Sequence, residues 1–270
     1  MEINEVKCKT IMSKSGLYGT DYSINPYTGC SHNCVYCYAP YILREIREWG
    51  EFLDVKINAL EALEEQLKQH KKGKISCFHV LMSSVTDPYQ KLEKKYKITR
   101  SLLKRLKNTK FFVTILTKSS LVLKDLDLLK KTNCKIGLTI TTLDEKAAKV
   151  FEPGAPSPFE RLETLSYLKI SGIKTYIFFG PLLPFISDVN LEKTIHRFSM
   201  ARPDYVLIDR LNIKGPNHWN KIKKVLEKNY PDLVEKWKQV LFSQTDYHRE
   251  LKKRLTEIFQ NYEVKHEFCF

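Results

Sequence analysis

The sequence predicts an α/β fold: a parallel sheet built from successive βα units, followed by a helical extension. Short apolar, β-rich runs recur at 20–24, 75–82, 111–116, 134–141, 173–179 and 205–211, with helical patterns between them. Such alternation of strand and helix is the signature of βα units on a parallel sheet. Beyond residue 211 the strands stop, and helical patterns rich in Lys and aromatic residues follow at 217–228, 232–242 and 247–262. These patterns divide the chain into an N-terminal segment (1–19), a core (20–211) and a helical C-terminal cap (212–270).

A chain of 270 residues with 43% hydrophobic content is long enough to bury a substantial core. Residues 1–9 carry charges and no apolar run, so neither a secretory leader nor an anchor is expected. The longest apolar stretch, 175–186, is interrupted by Gly180, Pro181 and Pro184, which argues against a membrane span. Seven cysteines, an odd number, speak against a disulfide framework and for a reducing, cytoplasmic setting.

The net charge is +14, and 91–110 holds nine Lys/Arg against the single acid Glu93. This stripe reads either as a track for a nucleic-acid backbone or as the solvated face of a helix. Ile98, Leu102, Leu103 and Leu106 recur at helical spacing and supply the inner face of that helix.

Further helix starts are legible at Asn58-Ala59-Leu60-Glu61 and Ser157-Pro158-Phe159-Glu160, both with capping-box spacing, and Gly172 ends the second helix. Ligands of α/β folds gather at the carboxyl ends of the strands. After the second predicted strand, 83–89 reads Ser-Ser-Val-Thr-Asp-Pro-Tyr, a polar turn. The third ends at Thr117-Lys118-Ser119, where a single cation among uncharged neighbours suits a carboxylate. The fourth ends at Thr139-Ile140-Thr141-Thr142, whose hydroxyls are either ligand contacts or simply β-favouring residues. Glu152 and Arg161 are expected to form a salt bridge, and the fifth strand runs into an apolar bend at 180–188. In the cap, His218, Trp219, Trp237 and His248 either line an opening or pack between elements.

The most specific signal lies at 25–38, where Cys30, Cys34 and Cys37 are spaced C-x3-C-x2-C. Three thiolates on one short loop suit three irons of a cubane 4Fe–4S cluster and leave the fourth iron open to another molecule. An open metal position implies chemistry. The alternative is a structural zinc held by the three cysteines and His32, which would make the chain a basic nucleic-acid-binding module. Four ligands within eight residues leave little loop to wrap a tetrahedron. Cys8, Cys134 and Cys269 read as ordinary thiols.

The cysteine loop resembles that of the radical S-adenosylmethionine (radical SAM) superfamily. The Cys-x3-Cys-x-Tyr-Cys-Tyr form, with Thr86-Asp87-Pro88-Tyr89 and Glu152-Pro153-Gly154, is similar to the spore photoproduct lyase and DNA repair photolyase-like branch. The resemblance implies an open, partial (β/α)6 barrel over about 20–211, a 4Fe–4S cluster on Cys30, Cys34 and Cys37, and S-adenosylmethionine as cosubstrate. It also implies reductive cleavage to a 5'-deoxyadenosyl radical and hydrogen abstraction from a substrate. By the same resemblance, Ser84, Thr86 and Asp87 contact the methionine amino group, Lys118 its carboxylate, and Thr139 and Thr141 the ribose or carboxylate. Backbone groups of Phe185 and Ile186 read the purine edge, and Tyr36 and Tyr38 pass a hydrogen atom. The implied partners are an electron donor such as flavodoxin or ferredoxin and a nucleic acid, with a monomeric chain and no membrane.

One position departs from the branch. Ser84 stands where those lyases carry a hydrogen-donating cysteine, and a hydroxyl O–H is too strong to donate readily. Cys77, seven residues earlier, falls on the opposite face of a continuous strand. The substrate is therefore expected to differ from theirs: a modified nucleic acid, a peptide or a small metabolite.

Overall fold

The structure is a computed structural model that describes residues 1–71 and 77–270, the side chains of His70 and Lys71 excepted. The strands are β1 (Glu2–Val6), β2 (Met12–Lys14), β3 (Tyr22–Ile24), β4 (Tyr27–Thr28), β5 (Phe52–Lys56) and β6 (His79–Met82). They continue as β7 (Phe112–Thr117), β8 (Cys134–Ile140), β9 (Lys174–Leu182), β10 (Tyr205–Arg210) and β11 (His266–Phe268). One sheet runs β11-β10-β9-β8-β7-β6-β3-β2, parallel throughout except for the antiparallel pairing of β2 with β3. β3, β6, β7, β8, β9 and β10 correspond to the six predicted runs and form the partial (β/α)6 barrel. The start of the second predicted run, Ile75 and Ser76, lies outside the described residues.

Alternation along the strands sorts the two faces. Val113, Ile115, Ile136, Leu138, Ile140, Ile177, Phe179, Val206 and Ile208 are fully buried on the face that the helices cover. Leu102, Leu103 and Leu106 of the basic helix (Ile98–Leu106) join them, as its spacing requires. The cations of that helix are partly neutralised: Arg100 pairs with Asp125 at 2.7 Å and with Asp127 at 2.9 Å. On the opposite face Lys135 lies 5.3–5.7 Å from the ring centres of Phe112, Tyr176 and Tyr205, closing the amino-terminal end of the barrel with cation–π contacts. The strands being parallel, their carboxyl ends and the loops that leave them share the other end.

Local signals account for the helix ends. The Ser157 hydroxyl accepts the Glu160 amide at 3.1 Å, Pro158 opens the helix Pro158–Ile170, and Gly172 follows it at φ +83°. At Asn58 the side chain serves a tertiary role: it exchanges hydrogen bonds with the Cys8 backbone at 2.8 and 3.0 Å.

The chain ends hold strands that sequence patterning did not anticipate. β1 and β2 draw the N-terminal segment into the small sheet β1-β5-β4 and onto the edge of the large one. The cap holds the helices Pro216–Asn229, Val234–Phe242 and Tyr247–Phe259, and it also returns β11 to pair in parallel with β10. These strands are too short to carry a legible alternation, and their pairing partners lie far away in the chain.

Candidate active site

The loop 25–38 lies at the carboxyl end of β3, and neighbouring elements hold it on several sides. Gly154 donates its amide to the His32 carbonyl at 3.0 Å, and Val35 donates to the Phe151 carbonyl at 2.8 Å. A Cβ built on Gly154 would lie 2.1 Å from the Ser31 carbonyl oxygen, so only glycine allows this approach. Gln90, fully buried, accepts the Ser31 amide at 2.9 Å and donates to Thr86 Oγ1 at 3.1 Å. Asn25 Oδ1 accepts the amides of Ser84 and Val85 at 2.9 and 3.1 Å. The sequence signal for Gln90 and Asn25 was a polar residue beside a strand end, which does not reveal its partner.

All three loop cysteines are free thiols, Cys30 and Cys34 buried and Cys37 half-buried. Cys37 packs against both apolar clusters, the one that contains Cys30 and the one that contains Cys34, and so sits between them. Burial, followed by the neighbouring Cys34, pushes the Cys37 thiol up to about 11. Metal binding here must therefore displace protons. Among the described residues no group of three or more His, Cys, Asp and Glu side chains is drawn together to grip one ion. A cubane asks something different, because each cysteine binds its own iron. His32 is shared between Asp87 and the cysteine loop: its Nδ1 lies 3.4 Å from Asp87 Oδ2, with both side chains buried, and its ring also hydrogen-bonds Cys30. Three soft thiols on one loop, each able to bind its own iron, fit an iron–sulfur cluster.

Several residues expected to touch ligand are committed to the protein. Asp87 Oδ1 accepts from Thr117 Oγ1 (2.7 Å) and the Tyr89 amide (2.8 Å), while Oδ2 accepts the Lys118 amide (2.9 Å) and faces His32. A carboxylate offers about four acceptor positions, so none remains for a methionine amino group. Burial opposes ionisation of Asp87, but the His32 cation and these donors hold its carboxyl down at about 2. Thr86 Oγ1 donates to the Gly29 carbonyl at 2.5 Å, another tie to the cysteine loop. Thr141 Oγ1 donates to Glu152 at 2.9 Å, and Thr139 is buried with its carbonyl taken by Arg161 at 3.0 Å. At the apolar bend the Phe185 amide donates to the Tyr247 hydroxyl at 3.0 Å and the Ile186 amide to the Leu183 carbonyl at 3.1 Å. Both amides are thus engaged within the chain, and the Ile186 side chain packs in one cluster with Cys34 and Tyr36. Ser84 and Lys118 keep some exposure, and among the described residues Ser84 Oγ accepts only from Asn25, at 3.3 Å.

The two tyrosines differ. Tyr36 is buried, donates to Glu152 and lies 3.1 Å from Thr141 Oγ1. Tyr38 is 41% exposed and donates to the Ser84 carbonyl. Beneath Tyr36 the expected salt bridge is present: Arg161 Nη2 lies 2.6 Å from Glu152, and both side chains are 1% exposed. Lys118 Nζ stands 3.9 Å from the same carboxylate. Burial works against the Lys118 cation, yet Cys34 and Glu152 more than compensate, so its pKa is raised and it stays charged. Cys77 lies outside β6 and donates its thiol to the Lys110 carbonyl at 2.8 Å, away from this site.

The family model of the Radical SAM superfamily matches residues 24–198, which include the cysteine loop and the strand ends around it. The chain belongs to the radical SAM superfamily. The cofactors of radical SAM proteins are a 4Fe–4S cluster and S-adenosylmethionine. An uncharacterized protein of Methanocaldococcus jannaschii is 35% identical over 240 residues, covering 87% of this chain and 86% of its own. A second relative, from Acidianus two-tailed virus, is 30% identical over 92% of this chain and 82% of its own. Among solved structures, a spore photoproduct lyase complexed with dinucleoside spore photoproduct superimposes with a TM-score of 0.72 at 17% identity, over 99% of this chain and 82% of its own. Streptococcus suis SuiB bound to S-adenosylmethionine gives a TM-score of 0.61 at 16% identity, over 92% of this chain and 50% of its own. Likeness at these identities concerns the fold. Among the described residues no helix is long and apolar enough to cross a membrane.

Proposed function

We propose that this radical SAM enzyme holds its cluster on Cys30, Cys34 and Cys37 and abstracts hydrogen from a substrate, in the manner of the spore photoproduct lyase-like branch, with nucleic acid as the favoured substrate class. The observation that carries the reading is a loop of three free thiols pinned at the carboxyl end of the barrel beside the half-buried cation Lys118. When bound, the cluster supplies one electron that cleaves S-adenosylmethionine to methionine and a 5'-deoxyadenosyl radical, which takes a hydrogen atom from a substrate C–H. The electron comes from a donor such as flavodoxin or ferredoxin in the cytoplasm.

Around that chemistry the chain's own residues orient and shield. Lys118 offers its ammonium to the methionine carboxylate from the end of β7, and Ser84 offers the free O–H of its side chain to a polar group. Ile186, with Cys34 and Tyr36, supplies an apolar wall for adenine and excludes water. Tyr38 is the tyrosine placed to exchange a hydrogen atom with a bound molecule; Tyr36 is a strut. In this reading 20–211 is the catalytic barrel, 1–19 its N-terminal edge and 212–270 a cap over its open side.

The test is anaerobic reconstitution with iron and sulfide, followed by chemical reduction in the presence of S-adenosylmethionine. 5'-Deoxyadenosine should form, and the Cys34→Ala variant should form none above background. Wild-type protein with a full cluster that makes no 5'-deoxyadenosine would falsify the reading.

A further inference from the structure

A cleft of about 1120 Å³ opens between the loop that leaves β10 and the turn that joins the last two helices of the cap. Its apolar floor is continuous with the cluster loop: Leu211, Ile213, Trp219 and Leu241 pack in the same cluster as Cys34 and Tyr36. Trp219 meets Phe242 edge to face with ring centres 5.5 Å apart, and Phe242 is 55% exposed, a costly display for a phenyl ring. Arg210 stands at one wall, exposed, 5.7 Å from the Phe270 ring centre and with no ion pair among the described residues. Asp246 is the one carboxylate among the described lining residues, and Arg249 holds it at 2.8 Å. His248 adds a shielded Nδ1 without a hydrogen-bond partner in this structure.

Two aromatic rings and an unpaired guanidinium in one cleft match a ligand with a flat apolar face and an anionic group on a short tether. Bases stack on aromatic side chains irrespective of sequence, and Arg takes phosphate in a planar fork. An acidic peptide would satisfy Arg210 but gives no use for the ring faces, and the net charge of +14 favours a polyanion. We propose that this cleft seats one unstacked nucleotide of a single strand, its base against Trp219 and Phe242 and its phosphate on Arg210, so that the strand is presented to the cluster loop. The inference deepens the radical SAM reading, but binding itself requires neither cluster nor S-adenosylmethionine.

Trp219 is also the natural reporter, because Trp49 and Trp237 are buried. Titrating the whole, cluster-free chain with a single-stranded DNA or RNA oligonucleotide should quench tryptophan emission saturably. Trp219→Leu should abolish most of the quench and weaken affinity about tenfold, within the range of one base stack. Arg210→Gln, at an exposed position that leaves folding intact, should weaken binding about tenfold and lower the salt slope by about 0.7, the loss of one single-strand phosphate contact. The proposal is overturned by an absence of saturable binding, or by binding that Arg210→Gln leaves unchanged, which would assign the strand to the lysine stripe. It is equally overturned if S-adenosylmethionine or an acidic peptide quenches Trp219 as well as the oligonucleotide does. Failure to form 5'-deoxyadenosine would leave this titration unaffected, and failure of the titration would leave cofactor cleavage intact.

Discussion

Glu152→Ala should lower the unfolding free energy of the cluster-free chain by about 3–5 kcal/mol, the cost of stranding one partner of a buried ion pair. Removing this carboxylate leaves Arg161, 1% exposed, without its counter-charge and takes the acceptor from Tyr36 and Thr141. Arg161 retains its bonds to the Pro156 and Thr139 carbonyls, which satisfy its donors but not its charge. Replacing both partners by apolar residues, Glu152→Leu with Arg161→Met, should recover much of the loss. Denaturant titration of the two single variants and the double variant measures the coupling. If Glu152→Ala costs under about 1 kcal/mol, a range usual for exposed pairs, the buried pair is not what secures this segment.

The same carboxylate sets a pH dependence. Burial opposes ionisation of Glu152, and the Arg161 and Lys118 cations overcome it, so its pKa is lowered. A depressed folded-state pKa contributes stability in full above the unfolded value of about 4.3, and that contribution is lost as pH falls through the folded value. The Glu152→Ala penalty should accordingly shrink on acidification and not on alkalinisation.

Gly154→Ala should leave the barrel folded and cut 5'-deoxyadenosine formation by about 10²-fold, the scale of an ångström displacement at a reacting centre. The added methyl would meet backbone, the Ser31 carbonyl at 2.1 Å and His32 Cα at 3.0 Å, so no rotamer change relieves it. What yields is the cysteine loop, and with it the Gly154 amide bond to the His32 carbonyl. Far-ultraviolet circular dichroism beside iron content and product yield separates a displaced loop from an unfolded chain. Normal iron content and normal turnover would show that the loop tolerates the shift.

The barrel was readable because its strands are buried against helices and separated by amphipathic segments, a pattern that survives without any knowledge of partners. The cysteine loop was readable for another reason: a C-x3-C-x2-C spacing has few uses, and a loop that follows the first strand of a parallel sheet lies at the carboxyl end, where ligands gather. The polar residues at the strand ends were not readable to the same depth. Asp87, Thr86 and Thr141 stand where ligands gather, yet each spends its hydrogen-bonding groups on a neighbouring loop, and a sequence does not reveal which donors lie opposite a carboxylate. The Phe185 amide was lost to the Tyr247 hydroxyl for the same reason, its partner lying 62 residues away. Glu152 and Arg161 could be paired from the sequence because they sit nine residues apart, across a cap whose geometry Ser157 and Pro158 announce. Short β11 could not, since its three residues become a strand only by lying against β10.

The central claim is that Cys30, Cys34 and Cys37 leave one iron free to bind S-adenosylmethionine. The most direct measurement is the electron paramagnetic resonance spectrum of the reduced, reconstituted protein before and after addition of S-adenosylmethionine. Coordination at an open iron predicts a changed spectrum in the wild-type protein and no cluster signal in Cys34→Ala. A spectrum that S-adenosylmethionine leaves untouched, or colourless protein that retains zinc in place of iron, would contradict the account.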